Sequence, residues 1–148
     1  MRKRTQAREC ALQILYQMDI IQCSPDQVLP SFWEFYPAPR DVREFAEAIV
    51  TGTYQHLQEI DKKIAQYTEN WELSRMAVVD RNILRFAAFE LLYMYEIPPK
   101  VTINEAVNVA KKYSQIEAGK FVNGVLDKIH HTEVHKPDPS SSPEEPVP

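Results

Sequence analysis

Three stretches of this 148-residue chain carry side chains suited to chemistry, and that chemistry is recognition of a nucleic acid rather than bond making. The first runs from Arg2, Lys3 and Arg4 through Arg8 to Tyr16. Its cations can hold phosphates, and Tyr16 can offer an aromatic face on which a base stacks. The competing reading is a solubilising basic helix end with Tyr16 in the core. The second is Val79-Asp80-Arg81-Asn82-Ile83-Leu84-Arg85, a polar cluster opening an apolar helix. Asp80 as an N-cap followed by surface charges explains it equally well. The third is Lys120-Phe121-Val122-Asn123-Gly124-Val125-Leu126-Asp127-Lys128. Lys120, Asn123 and the open backbone at Gly124 suit a nucleotide contact beside Phe121. The alternative is a tight helix-packing site, with glycine needed for closeness.

Other chemistry has no carrier here. Three glycines build neither a dinucleotide loop nor a P-loop, and no nucleophile elbow or HExxH occurs. Cys10 and Cys23 form no CxxC, and Cys10 falls on an apolar helix stripe, so both read as reduced, ordinary thiols. His130, His131 and His135 sit where cations complement a helix end. The expectation is no enzymatic function, no metal and no cofactor.

Helical periodicity must position these residues, because no strand-like alternation runs longer than a few residues. The first helix spans about Thr5 to Ile21, with Ala7, Cys10, Ala11, Ile14, Leu15, Met18 and Ile21 on one stripe and Arg4 and Arg8 off it. Ser24-Pro25-Asp26-Gln27 opens a second with a capping box, and Pro37 and Pro39 end it. An unbroken stripe from Val42 to Ile64 predicts one third helix over 40–67, with Gly52 marking close packing or a bend. Thr68 to Ser74 connects, with Trp71 and Leu73 tucked under the core. The fourth helix, from about Val79, is apolar nearly all round and should be central. Thr102-Ile103-Asn104-Glu105 reads as a second capping box, with Val101 and Ala106 as its staple. The sixth helix covers about Glu117 to His130 and holds Gly119 and Gly124. Each glycine costs roughly 1 kcal/mol against alanine, so each should serve a close approach.

Charge divides the chain. Residues 1–8 carry +4 and residues 132–148 carry −3, which leaves −5 for the body of a chain whose total is −4. A basic end on an acidic body binds a phosphate backbone only locally. The Pro/Ser/Glu-rich segment 132–148 has no apolar cluster and reads as a disordered acidic tail after a helical domain of residues 1–131. No apolar run reaches the length of a membrane span and no signal peptide is evident, so the expected location is cytoplasmic.

Four ordered runs together resemble the NusB family of bacterial transcription antitermination factors. They are Arg4 to Tyr16, Asp80 to Arg85, Ile97 to Tyr113 and Lys120 to Lys128, and the likeness covers about residues 4 to 130. The resemblance implies an all-α fold of two small helical bundles packed crosswise, with six to seven helices. It implies binding of boxA-type single-stranded RNA as a heterodimer with the ribosomal protein NusE. It also implies entry into the RNA polymerase antitermination complex, notably on ribosomal RNA operons, and leaves a homodimer open. Carried over, its RNA surface comprises Arg2, Lys3, Arg4, Arg8, Tyr16, Asp80, Lys120, Phe121 and Asn123. Thr5 and Gln6 interrupt the basic run, so its charge density is moderate. A helical module that binds only proteins is the main rival. A fragment of a methyltransferase is disfavoured, since no βαβ pattern or cofactor loop follows.

Overall fold

The computed structural model describes residues 2–68 and 72–134. It holds seven α-helices: α1 (Lys3–Ile21), α2 (Pro25–Phe35), α3 (Arg40–Gln55), α4 (Leu57–Tyr67), α5 (Val78–Tyr93), α6 (Pro99–Tyr113) and α7 (Ile116–Glu133). A 3-10 turn, Leu73–Arg75, precedes α5, and no strand occurs among the described residues. Trp71, His135 and nearly all of the expected tail lie outside them.

Helices α1, α2 and α3 pack on one another, and α4 to α7 form a second group. Helix α5 joins the two, touching α1 and α3 on one side and α4, α6 and α7 on the other. Its composition explains that position. Ile83, Leu84, Phe86, Ala87, Ala88 and Leu91 point in several directions around the helix and are all buried. Each large side chain among them contributes roughly 1.5–3 kcal/mol on leaving water. Such a helix is stable only with neighbours on most sides.

The expected third helix is two. The chain bends at His56, between α3 and α4, yet hydrogen bonding runs through the bend: the His56 N–H donates to Gly52 and the Ile60 N–H to His56. The apolar stripe therefore shows no gap. Phe89 of α5 lies flat against Gly52, where a Cβ would meet the ring's Cζ at 2.0 Å. His56 then stacks on Tyr93 with ring centroids 4.1 Å apart.

Helix α6 also departs from expectation. It begins at Pro99, not at Thr102, and the expected capping box does not form. Thr102 is buried and donates to Glu90 at 2.9 Å, while Glu105 accepts from Thr5 at 2.6 Å and Arg8 at 3.1 Å. Val101 is exposed and staples nothing. The Ser24 box at α2 is present, with the Ser24 N–H donating to Gln27 Oε1 at 3.1 Å.

Candidate nucleic-acid interface

The basic end of the chain is the first turn of α1. Arg2, Lys3 and Arg4 are exposed there, no acidic residue shares that turn, and no side chain caps it. Lys3 pairs with Asp41 of α3 at 2.8 Å, and the Arg4 guanidinium lies 4.4 Å from the Phe45 ring centroid. These contacts orient the turn and leave its donors at the surface.

Arg8 requires a correction. Expected on the polar side of α1 as a phosphate contact, it is 2% exposed. Its Nε and Nη2 donate to both oxygens of Glu90, each at 2.8 Å, and Nη1 donates to Glu105 at 3.1 Å. Burial opposes the charged guanidinium, but the two carboxylates outweigh it and raise its pKa further above the usual arginine value. Arg8 thus ties α1 to α5 and α6. It supports the basic turn from behind.

The Asp-Arg-Asn cluster divides in the same way. Arg81 and Asn82 both donate to Asp19 of α1, at 2.7 and 2.8 Å, and Arg85 bridges Asp19 and Asp61. Burial alone would raise the Asp19 carboxyl. Hydrogen bonds from Arg81 and Asn82, with the charges of Arg85 and Arg81, hold it below the usual carboxylate range. Asp80 differs. It is the third residue of α5 and not its cap. Its Oδ1 is buried with no hydrogen-bond partner, and the residue lines a groove of about 330 Å³ together with Met76, Ala77, Ser114 and Phe121. Asp80 and Phe121, 41 positions apart in sequence, therefore share one groove. Phe121 is half-buried and packs against the core, as its core reading expects, and it also lines that groove.

Tyr16 is exposed and lies two turns along α1 from Glu9, on the same face. Glu9 accepts from Lys112 at 3.0 Å and from Tyr113 at 2.7 Å, next to Ser114 of the groove. Tyr16 thereby belongs to the surface that leads to Asp80 and Phe121. Lys120 and Asn123 are exposed on α7. Asn123 lines a separate depression with Asn104, and Asn104 also borders the one formed by Arg2 and Arg4. Lys3 faces α3 through Asp41, while Arg2, Arg4 and Asn123 border depressions shared with α6.

That helix is what sequence reasoning missed. Asn104, Asn108 and Lys111 are exposed and step by four and three along α6, a polar stripe, and Gln115, the residue before α7, is exposed beyond its end. Attention to the apolar side of α6 hid it. Gly119 serves a close approach: a Cβ there would lie 3.2 Å from Lys111 Cγ. Gly124 does not, since nothing lies within 4 Å of a Cβ built on it. The packing explanation fails at Gly124, and its backbone is open to solvent. Burial and the neighbouring Glu9 carboxylate push the Cys10 thiol up, as expected of an inert core cysteine.

An all-helical scaffold with a basic helix end, an aromatic–carboxylate groove and an amide-rich ridge between them has the features of an RNA-binding module. The model of the NusB family matches residues 5–131. The transcription antitermination protein NusB of Anaeromyxobacter dehalogenans (strain 2CP-1 / ATCC BAA-258) is 50% identical over 128 residues, covering 86% of this chain and 89% of that protein. That of Syntrophus aciditrophicus (strain SB) is 40% identical over 136 residues, covering 92% and 84%. Among solved structures, T. maritima NusB superposes with a TM-score of 0.81 at 36% identity, covering 91% of this chain and 94% of that one. A chain from a crystal structure of the antitermination factors NusB and NusE in complex with double-stranded RNA gives 0.80 at 32% identity, covering 88% and 98%. The chain belongs to the NusB family.

Proposed function

We propose that this protein is a transcription antitermination factor that binds boxA-type single-stranded RNA together with NusE. In this reading it joins the RNA polymerase antitermination complex in the cytoplasm, notably on ribosomal RNA operons. The observation that carries it is the arrangement around α6. Arg2, Lys3 and Arg4 hold phosphates at one end, and Asn104 and Asn123 offer amides beside them. Phe121 and Tyr16 supply stacking faces, and Asp80 lines the groove beside Phe121 with a carboxylate that can accept from a base N–H. Lys120 adds a cation on the exposed side of α7. Arg8 acts through the structure it holds rather than by touching RNA. Residues 1–131 form the binding domain, and residues 132–148 follow as an acidic tail. The relative solved with NusE and RNA supports the choice of partners.

The test is fluorescence anisotropy of a labelled boxA-type strand, titrated with this protein alone and with NusE, over a salt series. A duplex and a scrambled strand serve as comparisons. Expected is sequence-selective binding to the single strand that tightens with NusE. Its log–log salt slope should be roughly −2 to −4, for three to five phosphate contacts. Equal binding to the scrambled strand with NusE present would overturn the RNA reading and leave a protein-only module.

A further inference from the structure

We propose that Asp127, His130 and His131, near the end of α7, form a binding site for a transition-metal dication of the Zn²⁺ type. Last-turn histidines that complement a helix end account for two of the three residues. They do not account for the convergence with Asp127. Positions separated by three and four residues lie on one side of a helix. Here each of the three residues offers a ligand atom, and all these atoms lie within 4.8 Å of one another. Donors about 2.0–2.1 Å from a tetrahedral ion stand roughly 3.3 Å apart. Closing the difference takes side-chain movements of up to about 1.5 Å. Asp127 and His131 are exposed, and their side chains already approach, with His131 Nδ1 3.4 Å from Asp127 Oδ1.

One ring is already oriented by a backbone bond. His131 Nδ1 lies 2.8 Å from the Asp127 backbone carbonyl. A carbonyl oxygen only accepts, so Nδ1 donates in this bond, and in the neutral ring Nε2 is the atom left to coordinate. Metal-ligating histidines are commonly oriented by this second bond to a carbonyl. The His130 and His131 ring centroids stand 4.9 Å apart. Asn104 and Asn123 line the same depression, where their amides are further polar groups beside the three ligands. Lys100 is the cation in that lining and makes the affinity moderate. Two imidazoles with one carboxylate favour Zn²⁺, Ni²⁺ or Cu²⁺ over Mg²⁺ and Ca²⁺, which prefer oxygen-rich shells. The proposal does not depend on the RNA reading.

Isothermal titration of the full, untagged chain with ZnCl₂ tests it, together with the absorption spectrum of the Co²⁺ form. Expected is one saturable site, weakened about tenfold or more by each of Asp127→Asn, His130→Ala and His131→Ala. His135→Ala and Cys23→Ser should bind like the parent, and excess Mg²⁺ should not compete. Circular dichroism monitors folding. If His130→Ala loses helix content, the exposed Asp127→Asn and His131→Ala variants decide the question. The proposal is overturned by absence of saturable binding or by ligand-site variants that bind like the parent. Loss of binding in His135→Ala or Cys23→Ser overturns it, as does a thiolate-to-cobalt charge-transfer band.

Discussion

Substituting Arg8 separates two accounts of the basic helix end. In the structure Arg8 is 2% exposed and makes three hydrogen bonds, two to Glu90 and one to Glu105. Glu90 is itself fully buried. Arg8→Ala deletes the cation, while the Thr102 hydroxyl still donates to the Glu90 carboxylate. Removing one partner of a buried pair costs about 3–5 kcal/mol, because the remaining charge is stranded. An exposed arginine would cost at most about 1 kcal/mol. Urea unfolding followed by circular dichroism reads that loss. RNA anisotropy over a salt series reads the other account. A phosphate contact on a single strand contributes about −0.7 to the log–log slope. The expected result is a stability loss of about 3–5 kcal/mol with the slope unchanged under conditions where the variant is folded. Replacing both charges, Arg8→Met with Glu90→Leu, should recover much of the loss, since the fully buried Glu90 carboxylate leaves with its cation. A loss under about 1 kcal/mol with a slope reduced by about 0.7 would refute the argument and return Arg8 to the RNA surface.

Phe121→Ala should weaken RNA binding by about 1–3 kcal/mol, the worth of one base stack, with helix content retained by circular dichroism. Gly124→Ala should stabilise the protein by up to about 1 kcal/mol in urea titration, because the added methyl meets open space on a helix. Gly52→Ala should lower the melting temperature sharply, since its methyl would overlap the Phe89 ring. Asp19→Asn tests the pH dependence. The folded Asp19 carboxyl is held below its unfolded value, so its contribution is present above about pH 4 and fades as pH falls through the folded pKa. The gap in urea midpoint between Asp19→Asn and the parent should therefore be widest near neutrality and narrow below pH 4.

How much was legible depended on the kind of signal. Apolar periodicity revealed the helical class and the central place of α5, because the stripe and the burial are one physical fact. It passed over the bend at His56 because a single-residue kink preserves both hydrogen bonding and register. Capping logic succeeded at Ser24 and failed at Thr102, where the hydroxyl and Glu105 serve Arg8 and Glu90 instead. A cap is local, but the partners that take its residues away lie 12 and 97 positions off. The same limit explains Arg8 itself. Nothing within the Arg2–Arg8 segment distinguishes a cation that faces solvent from one that meets two distant carboxylates. The α6 stripe was legible and overlooked. The sharing of one groove by Asp80 and Phe121 was not legible from spacing at all.

The first turn of α1 breaks a local rule in a way that supports the proposed role. Helix N-termini favour acidic residues and a capping side chain, because the backbone N–H groups there carry partial positive charge. Here the turn has three exposed cations, no acid and no cap. Each choice opposes helix formation, and the first turn holds through Lys3 on Asp41, Arg4 on Phe45 and the buried Arg8 network a turn further along. The arrangement is unfavourable for an isolated helix and favourable for an anion, which would meet side-chain cations and backbone N–H groups together. Departures from local consistency concentrate at functional sites, where something outside the chain restores the balance. In the proposed role, a phosphate backbone supplies the missing negative charge in the place where the helix lacks it. That role would account for a net acidic protein keeping so much positive charge in its opening residues.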